Sequence, residues 1–128
     1  YRALYQAIRL ALVRSAHDCS DGGLAVALAE SAFAGGLGMQ LELGRLARQE
    51  QLLPWELLFS ESPSRLVVSV SPACVREFEQ VMAGLPCVAL GTVTAGQRLR
   101  IVGDEGPAWV DAELAHLKEA WQAPLREV

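Results

Sequence analysis

The polar segment at residues 17–23 leads directly into an apolar run, and its residue types suit an anion. Ser20 and Asp21 have short side chains whose oxygens accept hydrogen bonds from the first N–H groups of a helix, so we predict that they cap one here. Gly22 and Gly23 lack a Cβ atom and allow another backbone or a ligand to approach closely. The free N–H groups and positive dipole end of such a helix favour phosphate or carboxylate. The alternative interpretation is an ordinary turn from a loop into a helix.

A second polar segment occupies residues 60–65, between two apolar stretches. If the fold brings the two segments together, Asp18, Asp21 and Glu61 could hold Mg²⁺, which prefers a few carboxylates together with phosphate oxygens. Arg65 could bind a carboxylate or phosphate through paired hydrogen bonds. In the alternative, Glu61 and Arg65 pair with each other or cap helix ends.

His17, Asp18 and Cys19 are adjacent, which argues against two further kinds of site. A cysteine nucleophile needs partners that are close in space, and neighbouring residues seldom point their side chains at one another. Zinc needs ligands arranged around a single point, which crowded neighbours do not provide. We therefore predict neither site.

Glu30 is a charged residue inside the apolar segment that we predict to be a helix. A buried charge needs a partner, and the sequence offers Arg14 and Arg65 as candidates. The alternative is that Glu30 emerges at an edge of the helix. Trp55, Trp109 and Trp121 lie in separate elements, and we interpret them as packing residues.

The composition restricts the class of protein. The formal net charge is −4 and no basic stripe is present, which argues against a nucleic-acid partner. No apolar run is long enough to cross a membrane and no signal peptide begins the chain. Three cysteines without metal-type spacing indicate a reduced, cytoplasmic setting, with Cys74 and Cys87 in the core. Because the chain opens at Tyr1 without an initiator methionine, we expect a single domain, residues 1–128, from a longer chain.

Helical and strand-like patterns alternate irregularly along the chain. Periodicity and turn residues predict helices at residues 2–13, 22–34, 54–59, 72–83 and 112–121, the last capped by Asp111. They predict strands at residues 39–43, 65–70, 87–93, 98–102 and 108–110, with residues 15–21 as a loop. The turn at residues 94–97 indicates a hairpin between the strands that flank it. We therefore predict an α+β fold in which helices pack on a mixed β-sheet, as opposed to a doubly wound parallel sheet.

Two motifs carry a resemblance to a known family: HDCSDGG at residues 17–23 and FSESPSR at residues 59–65. Together with the step at residues 90–93 and the closing helix with Trp121, they resemble the C-terminal domain of the large, synthetase subunit of phosphoribosylformylglycinamidine synthases. This domain type is shared across the superfamily related to aminoimidazole ribonucleotide synthetase. The long first motif favours the synthases over aminoimidazole ribonucleotide synthetase itself, selenophosphate synthetase and thiamine-monophosphate kinase.

The resemblance implies a ligase of purine biosynthesis that uses ATP and Mg²⁺. The enzyme converts formylglycinamide ribonucleotide and glutamine-derived ammonia to formylglycinamidine ribonucleotide. The implied partners are an N-terminal-type ATP-binding domain of the same chain, a glutaminase subunit and a small accessory subunit. In the family the nucleotide and metal ligands come mostly from the N-terminal-type domain, so we expect no catalytic residue here and no activity of this domain alone.

The resemblance also implies which residues face the nucleotide. These are Asp18, Ser20, Asp21, Gly22, Gly23, Glu61, Ser62 and Arg65. One departure is informative: the copy that binds substrate is expected to have Glu-Ser-Gln where this chain has Glu61-Ser62-Pro63, and proline has no backbone donor. We therefore expect the domain to flank the pseudo-symmetric site that holds a structural nucleotide. The alternatives are the equivalent domain of a related ATP-using enzyme, or a non-catalytic module that holds a nucleotide.

Overall fold

The structure is a computed structural model that describes residues 1–126. Its α-helices are α1 (Arg2–Arg9), α2 (Gly23–Gly35), α3 (Gly44–Glu50), α4 (Pro54–Phe59), α5 (Val75–Val81) and α6 (Leu114–Gln122). Its β-strands are β1 (Val13–Asp18), β2 (Gly38–Glu42), β3 (Leu66–Val70), β4 (Gly91–Thr94), β5 (Arg98–Val102) and β6 (Val110–Glu113). Short 3₁₀ turns, Pro72–Cys74 and Ala123–Arg126, precede α5 and follow α6. None of the described helices has the length and apolarity needed to cross a membrane.

The larger sheet has four strands in the order β4-β2-β5-β6. Strand β2 is parallel to β5 and antiparallel to β4, and β5 is antiparallel to β6. Met39 and Leu41 of β2 are buried while Gln40 is exposed, so the alternation of the sequence turns one face of the sheet toward the core. The predicted α+β fold with a mixed sheet is confirmed.

The predicted hairpin between β4 and β5 is wrong, because β2 lies between them. Leu41 pairs with Gly91 on one side and with Ile101 on the other. The turn that suggested a hairpin passes over the start of β2, where the Gly38 N–H donates to the Gly96 carbonyl. A Cβ atom at Gly91 would collide with the Gln40 carbonyl, so glycine allows β4 to begin close against β2. Local turn chemistry could not reveal a strand that arrives from far along the chain.

In the smaller sheet, β1 pairs with β3 in antiparallel orientation. Two sequence predictions for this region are wrong. The first helix ends at Arg9, and residues 15–18 belong to β1, so the predicted helix to Val13 and the predicted loop from Ser15 are both wrong there. The chain reverses through Ala11, whose φ of +57° is left-handed. A bulge between Val13 and Ser15 interrupts the alternation of β1, which hid its strand character from the sequence pattern.

Asp111 does not cap the last helix. It lies in β6 and accepts hydrogen bonds from Arg98 of β5, at 2.9 Å from Nε and 2.7 Å from Nη2. The helix begins three residues later, at Leu114. Asp111 therefore forms an ion pair with Arg98 across β5 and β6.

The core is divided into two clusters. The larger cluster surrounds α2, whose Leu24, Ala27, Leu28 and Ala32 are buried against the four-stranded sheet and against α4 and α6. The smaller cluster joins α1, the two-stranded sheet and α5. Its buried members are Ala7, Leu12 and Phe78.

The three cysteines lie in different environments. Cys19 is buried in the larger cluster, and Cys74 is half-buried and packs against the smaller one. Cys87 is exposed, so its predicted place in the core is wrong. Cys87 lies in the stretch between α5 and β4, where most side chains are exposed.

Candidate functional site

The two polar segments meet at one cavity of about 380 Å³. Residues 18–21 line one side of it, and Glu61 and residues 63–66 line the other, with Tyr1 at its edge. The end of β1 lies beside the start of β3, and the Cys19 N–H donates to the Arg65 carbonyl at 3.0 Å. The small sheet therefore places the end of one predicted motif against the end of the other.

The start of α2 is already occupied by a side chain of the protein. Glu61 accepts a hydrogen bond from the Gly22 N–H through Oε1 at 3.0 Å. Gly22 is the N-cap residue and has left-handed backbone, and neither Ser20 nor Asp21 caps the helix through its side chain. The predicted caps are therefore wrong, and the alternative in which Glu61 caps a helix end is the one observed. Its carboxylate takes the place that the sequence offered to an external anion.

Gly23 serves the contact between two backbones. Its φ is +67°, and a Cβ atom there would lie 2.7 Å from the Ser60 carbonyl oxygen and 2.8 Å from the carbonyl carbon of Phe59. Real Cβ atoms do not approach a backbone that closely, so only glycine allows α2 to start against the end of α4. Gly23 thus allows the two segments to meet, which explains this glycine without any ligand.

Arg65 is half-buried at the cavity wall and bonds inward. Its Nη1 donates to Ser60 Oγ at 3.1 Å and to the Leu57 carbonyl at 3.4 Å. These contacts hold the guanidinium against the end of α4. The predicted pairing of Arg65 with Glu61 is not among the ion pairs of residues 1–126.

The cavity carries more negative than positive charge. Asp18, Asp21 and Glu61 contribute carboxylates, and Arg65 contributes a guanidinium. A phosphate that entered would meet like charges at short range, so these residues alone do not attract an anion. Ser62 is outside the lining, and its hydroxyl lies 3.5 Å from Ser60 Oγ.

The three acidic residues do not form a metal site. Within residues 1–126, no group of three or more histidine, cysteine, aspartate or glutamate side chains is arranged to hold an ion. Asp18, Asp21 and Glu61 share a cavity without converging, and one Glu61 oxygen is bonded to Gly22. These three residues therefore do not fit Mg²⁺ as a ligand set.

Glu30 has two partners that the sequence did not suggest. His17 Nε2 lies 3.0 Å from Glu30 Oε2, and Trp121 Nε1 donates to Glu30 Oε1 at 2.7 Å. Neither predicted arginine, Arg14 or Arg65, is its partner in these contacts. Trp121 also contacts Phe33, with 5.6 Å between ring centroids, so its interpretation as a packing residue describes only one of its roles.

Two further cavity residues have distinct chemistry. Tyr1, which the sequence analysis did not select, places its hydroxyl 2.9 Å from Ser64 Oγ. Burial raises the pKa of the Cys19 thiol above its usual value, and the opposing charge of Arg65 is the smaller effect. A buried thiol with a raised pKa is a poor nucleophile.

Comparison with known proteins identifies the family. The model of "AIR synthase related protein, C-terminal domain" matches residues 1–104. The chain belongs to this family. This domain is 38% identical over 121 residues to the PurL subunit of phosphoribosylformylglycinamidine synthase from Deinococcus radiodurans. The match covers 94% of this chain and 16% of that protein. The domain is 43% identical over 125 residues to the PurL subunit from Parasynechococcus marenigrum, with 95% of this chain and 15% of that protein covered.

Solved structures share the fold of this AIR synthase related domain. Thermotoga maritima PurL complexed with ATP matches with a TM-score of 0.79 and 25% identity, over 91% of this chain and 20% of that one. The same protein complexed with FGAR matches with a TM-score of 0.77 at the same identity and coverage. The resemblance inferred from the two motifs is confirmed. The chain spans about one sixth of the length of the curated relatives that it matches.

Proposed function

We propose that this chain is one domain of the large subunit of a phosphoribosylformylglycinamidine synthase, where it forms a wall of a nucleotide cleft. The observation that carries this proposal is 38–43% identity to PurL subunits over nearly the whole chain. The enzyme transfers the terminal phosphoryl group of ATP to the amide oxygen of formylglycinamide ribonucleotide. Ammonia from glutamine then displaces phosphate, giving formylglycinamidine ribonucleotide, ADP and phosphate.

In this proposal the cavity is one half of a composite site. Of the residues that the resemblance selected, Asp18, Ser20, Asp21, Glu61 and Arg65 line this cavity, whereas Gly22, Gly23 and Ser62 lie outside its lining. None of them has a catalytic role. The acidic lining needs positive charge from elsewhere, because a nucleotide phosphate would otherwise be repelled.

The missing charge comes from the partners of the domain. An N-terminal-type ATP-binding domain of the same chain faces the cavity, and the glutaminase and small accessory subunits complete the enzyme. Magnesium bound with the nucleotide would have its ligands in the other domains, because the carboxylates of residues 1–126 do not converge on one point. The proposed setting is the cytoplasm, and the proposed extent of the domain is residues 1–128.

A second candidate function is a module that holds a structural nucleotide and contributes nothing to turnover. Two observations favour it. Pro63 lines the cavity and has no N–H to offer, and the Glu61 carboxylate occupies the start of α2. A site with fewer N–H donors and with the Glu61 carboxylate already in it is better suited to a nucleotide that stays bound than to one that reacts.

Calorimetric titration with ATP and with ADP tests both functions. We expect the 128-residue chain to bind neither nucleotide, and a longer chain that includes the preceding ATP-binding-type domain to bind both. Arg65→Gln in the longer chain should weaken binding, whereas Arg76→Gln, an exposed change on α5, should leave it unchanged. If Arg65→Gln lowers turnover of the longer chain but leaves its bound nucleotide in place, the result would favour a position at the reacting site. If Arg65→Gln instead releases the bound nucleotide and lowers the thermal stability of the longer chain, it would favour the structural module. A longer chain that binds no nucleotide would overturn both proposals.

A further inference from the structure

Helix α1 has an apolar face that the domain only half covers. Ala7 is buried in the smaller cluster, and Leu4 on the same side of the helix is half-buried. Tyr1, the N-cap residue, and Tyr5 and Ile8 on the following turns retain 83%, 63% and 48% of their exposure. Residues three or four positions apart are neighbours on a helix surface, so these three side chains form one stripe. We call Tyr1, Tyr5 and Ile8 the α1 stripe.

The α1 stripe is distinct from the side of the helix that faces water. That side carries Arg2, Gln6 and Arg9, all of which are exposed, as expected of an amphipathic helix at a protein surface. The apolar face is therefore wider than the part of it that packs against the smaller cluster. Contiguous apolar side chains exposed beside a polar rim are typical of a contact site.

The α1 stripe continues into the candidate cavity. Tyr1 lines the cavity, and its hydroxyl lies 2.9 Å from Ser64 Oγ on the second polar segment. Leu66, at the start of β3, lines the same cavity and is 36% exposed. A partner that closes the cavity on this side therefore lies against Tyr1, and the rest of the stripe lies directly beyond it along the helix.

The size of the α1 stripe distinguishes a linked domain from a second copy of the chain. Each side of a stable dimer buries ~800 Å², whereas one aromatic side chain supplies about 150–250 Å². Two tyrosines and one isoleucine fall short of the area that a dimer needs. A domain on the same chain needs less area, because linkage gives it a high effective concentration. The PurL relatives are about six times as long as this chain, so they contain further domains that could fill this place.

We propose that the α1 stripe is the docking surface for the ATP-binding-type domain of the same chain, the domain that closes the cavity in the proposed function. The charges beside the stripe define the matching surface. Arg2 and Arg9 flank the stripe on one side, and the acidic cavity borders it at Tyr1. The matching surface is therefore apolar at its centre, acidic over the two arginines and basic over the cavity. The identity of this partner rests on the proposed function, whereas the exposure of the stripe does not.

The first test uses Tyr1 and Tyr5 as reporters, since they are the two tyrosines of the 128 residues. Hydroxyl-radical footprinting, read by mass spectrometry of peptides, compares the 128-residue chain with a longer chain that includes the preceding ATP-binding-type domain. We expect both tyrosines to react about fivefold more slowly in the longer chain, because a docked surface excludes water. Equal rates in the two chains would overturn the docking surface. Slow reaction in the 128-residue chain, together with a dimeric mass, would overturn it in favour of a second copy.

The second test places a charge in the α1 stripe. Ile8 and Leu10 are almost equally exposed, at 48% and 49%, but lie about 160° apart around the helix axis. Ile8→Glu puts a carboxylate in the stripe, and Leu10→Glu is the matched control near the same end of the helix. In the 128-residue chain we expect both variants to unfold within about 3 °C of wild type, because neither side chain is buried.

The two variants should differ in the longer chain. We expect Ile8→Glu to return Tyr1 and Tyr5 to their rates in the 128-residue chain and to weaken ATP binding about tenfold, because a buried unpaired carboxylate opposes docking. Leu10→Glu should equal wild type. Unchanged footprints after Ile8→Glu, or equal effects of both variants, would overturn the docking surface. A wild-type longer chain that protects both tyrosines yet binds no nucleotide would overturn the proposed function and leave the docking of the stripe standing.

Discussion

The two sheets of this domain are supported by cores of very different size. Fourteen buried residues pack around α2 and the four-stranded sheet, whereas three support the two-stranded sheet, namely Ala7, Leu12 and Phe78. Helix α1 covers the small sheet yet exposes Tyr5 and Ile8. Because β1 ends and β3 begins at the cavity, the wall of the candidate site depends on the less supported part of the molecule. Its shape is therefore more sensitive to change than the fold that carries it.

A core truncation in each cluster should separate the two regions most strongly. Leu28→Ala, which removes a fully buried side chain of the larger cluster, should lower the free energy of unfolding by about 3 kcal/mol and leave a single transition. Phe78→Ala should instead remove hydrogen-exchange protection from β1 and β3 while β2 and β5 stay protected. Urea unfolding and hydrogen exchange measure these effects. Equal loss of protection in both sheets after Phe78→Ala would mean that the domain has one cooperative core.

The contact that joins the two polar segments can be tested with a pair of glycines of similar conformation. Gly23 and Gly36 have φ of +67° and +64°, but only Gly23 would press a Cβ atom against another backbone. Gly36→Ala should cost about 1 kcal/mol for left-handed backbone alone. Gly23→Ala should cost roughly 2 kcal/mol more, because the end of α4 must move away. Thermal unfolding compares the two, and equal costs would show that the segments are not tightly apposed.

The carboxylate at the start of α2 should have a smaller effect. Glu61→Ala should cost about 1 kcal/mol, since the Gly22 N–H loses its acceptor at an exposed helix end. Glu61→Gln is the matched control, because it keeps an oxygen acceptor and removes the charge. We expect it to recover about half of the loss. Chemical denaturation provides the measurement, and a Glu61→Ala variant as stable as wild type would rule out the cap.

The smallest expected effect concerns Cys19 and alkaline pH. Burial raises its pKa in the folded state above 9.0, so above that pH the unfolded chain releases a proton that the folded chain keeps. The folded state is thereby disfavoured as the pH rises from 9.0 toward the folded-state pKa. Cys19→Ala should reduce this decline in the free energy of unfolding between about pH 8 and 10, measured relative to the value at neutral pH. Cys87→Ala should act in the same direction, since burial and the Glu79 carboxylate raise the pKa of that thiol as well.

The sequence predicted what depends on neighbouring residues. Helix α2 was predicted within one residue at each end, because its apolar run and closing glycines are local signals. The hairpin and the caps at Ser20 and Asp21 failed, because β2 and Glu61 arrive from distant parts of the chain. The same limit applies to Glu30, whose need for a partner was evident but whose partner Trp121 lies 91 residues away.

The position of β2 has a consequence for synthesis of the protein. Both of its neighbours, β4 and β5, are encoded from Gly91 onward, whereas β2 ends at Glu42. On the ribosome, β2 therefore emerges with two unpaired edges and waits while about 50 further residues are made, at roughly 5–20 residues per second. During this interval its alternating apolar face is open to other nascent chains. Sheet completion is a late event, so chaperone demand should fall sharply once β5 has left the exit tunnel.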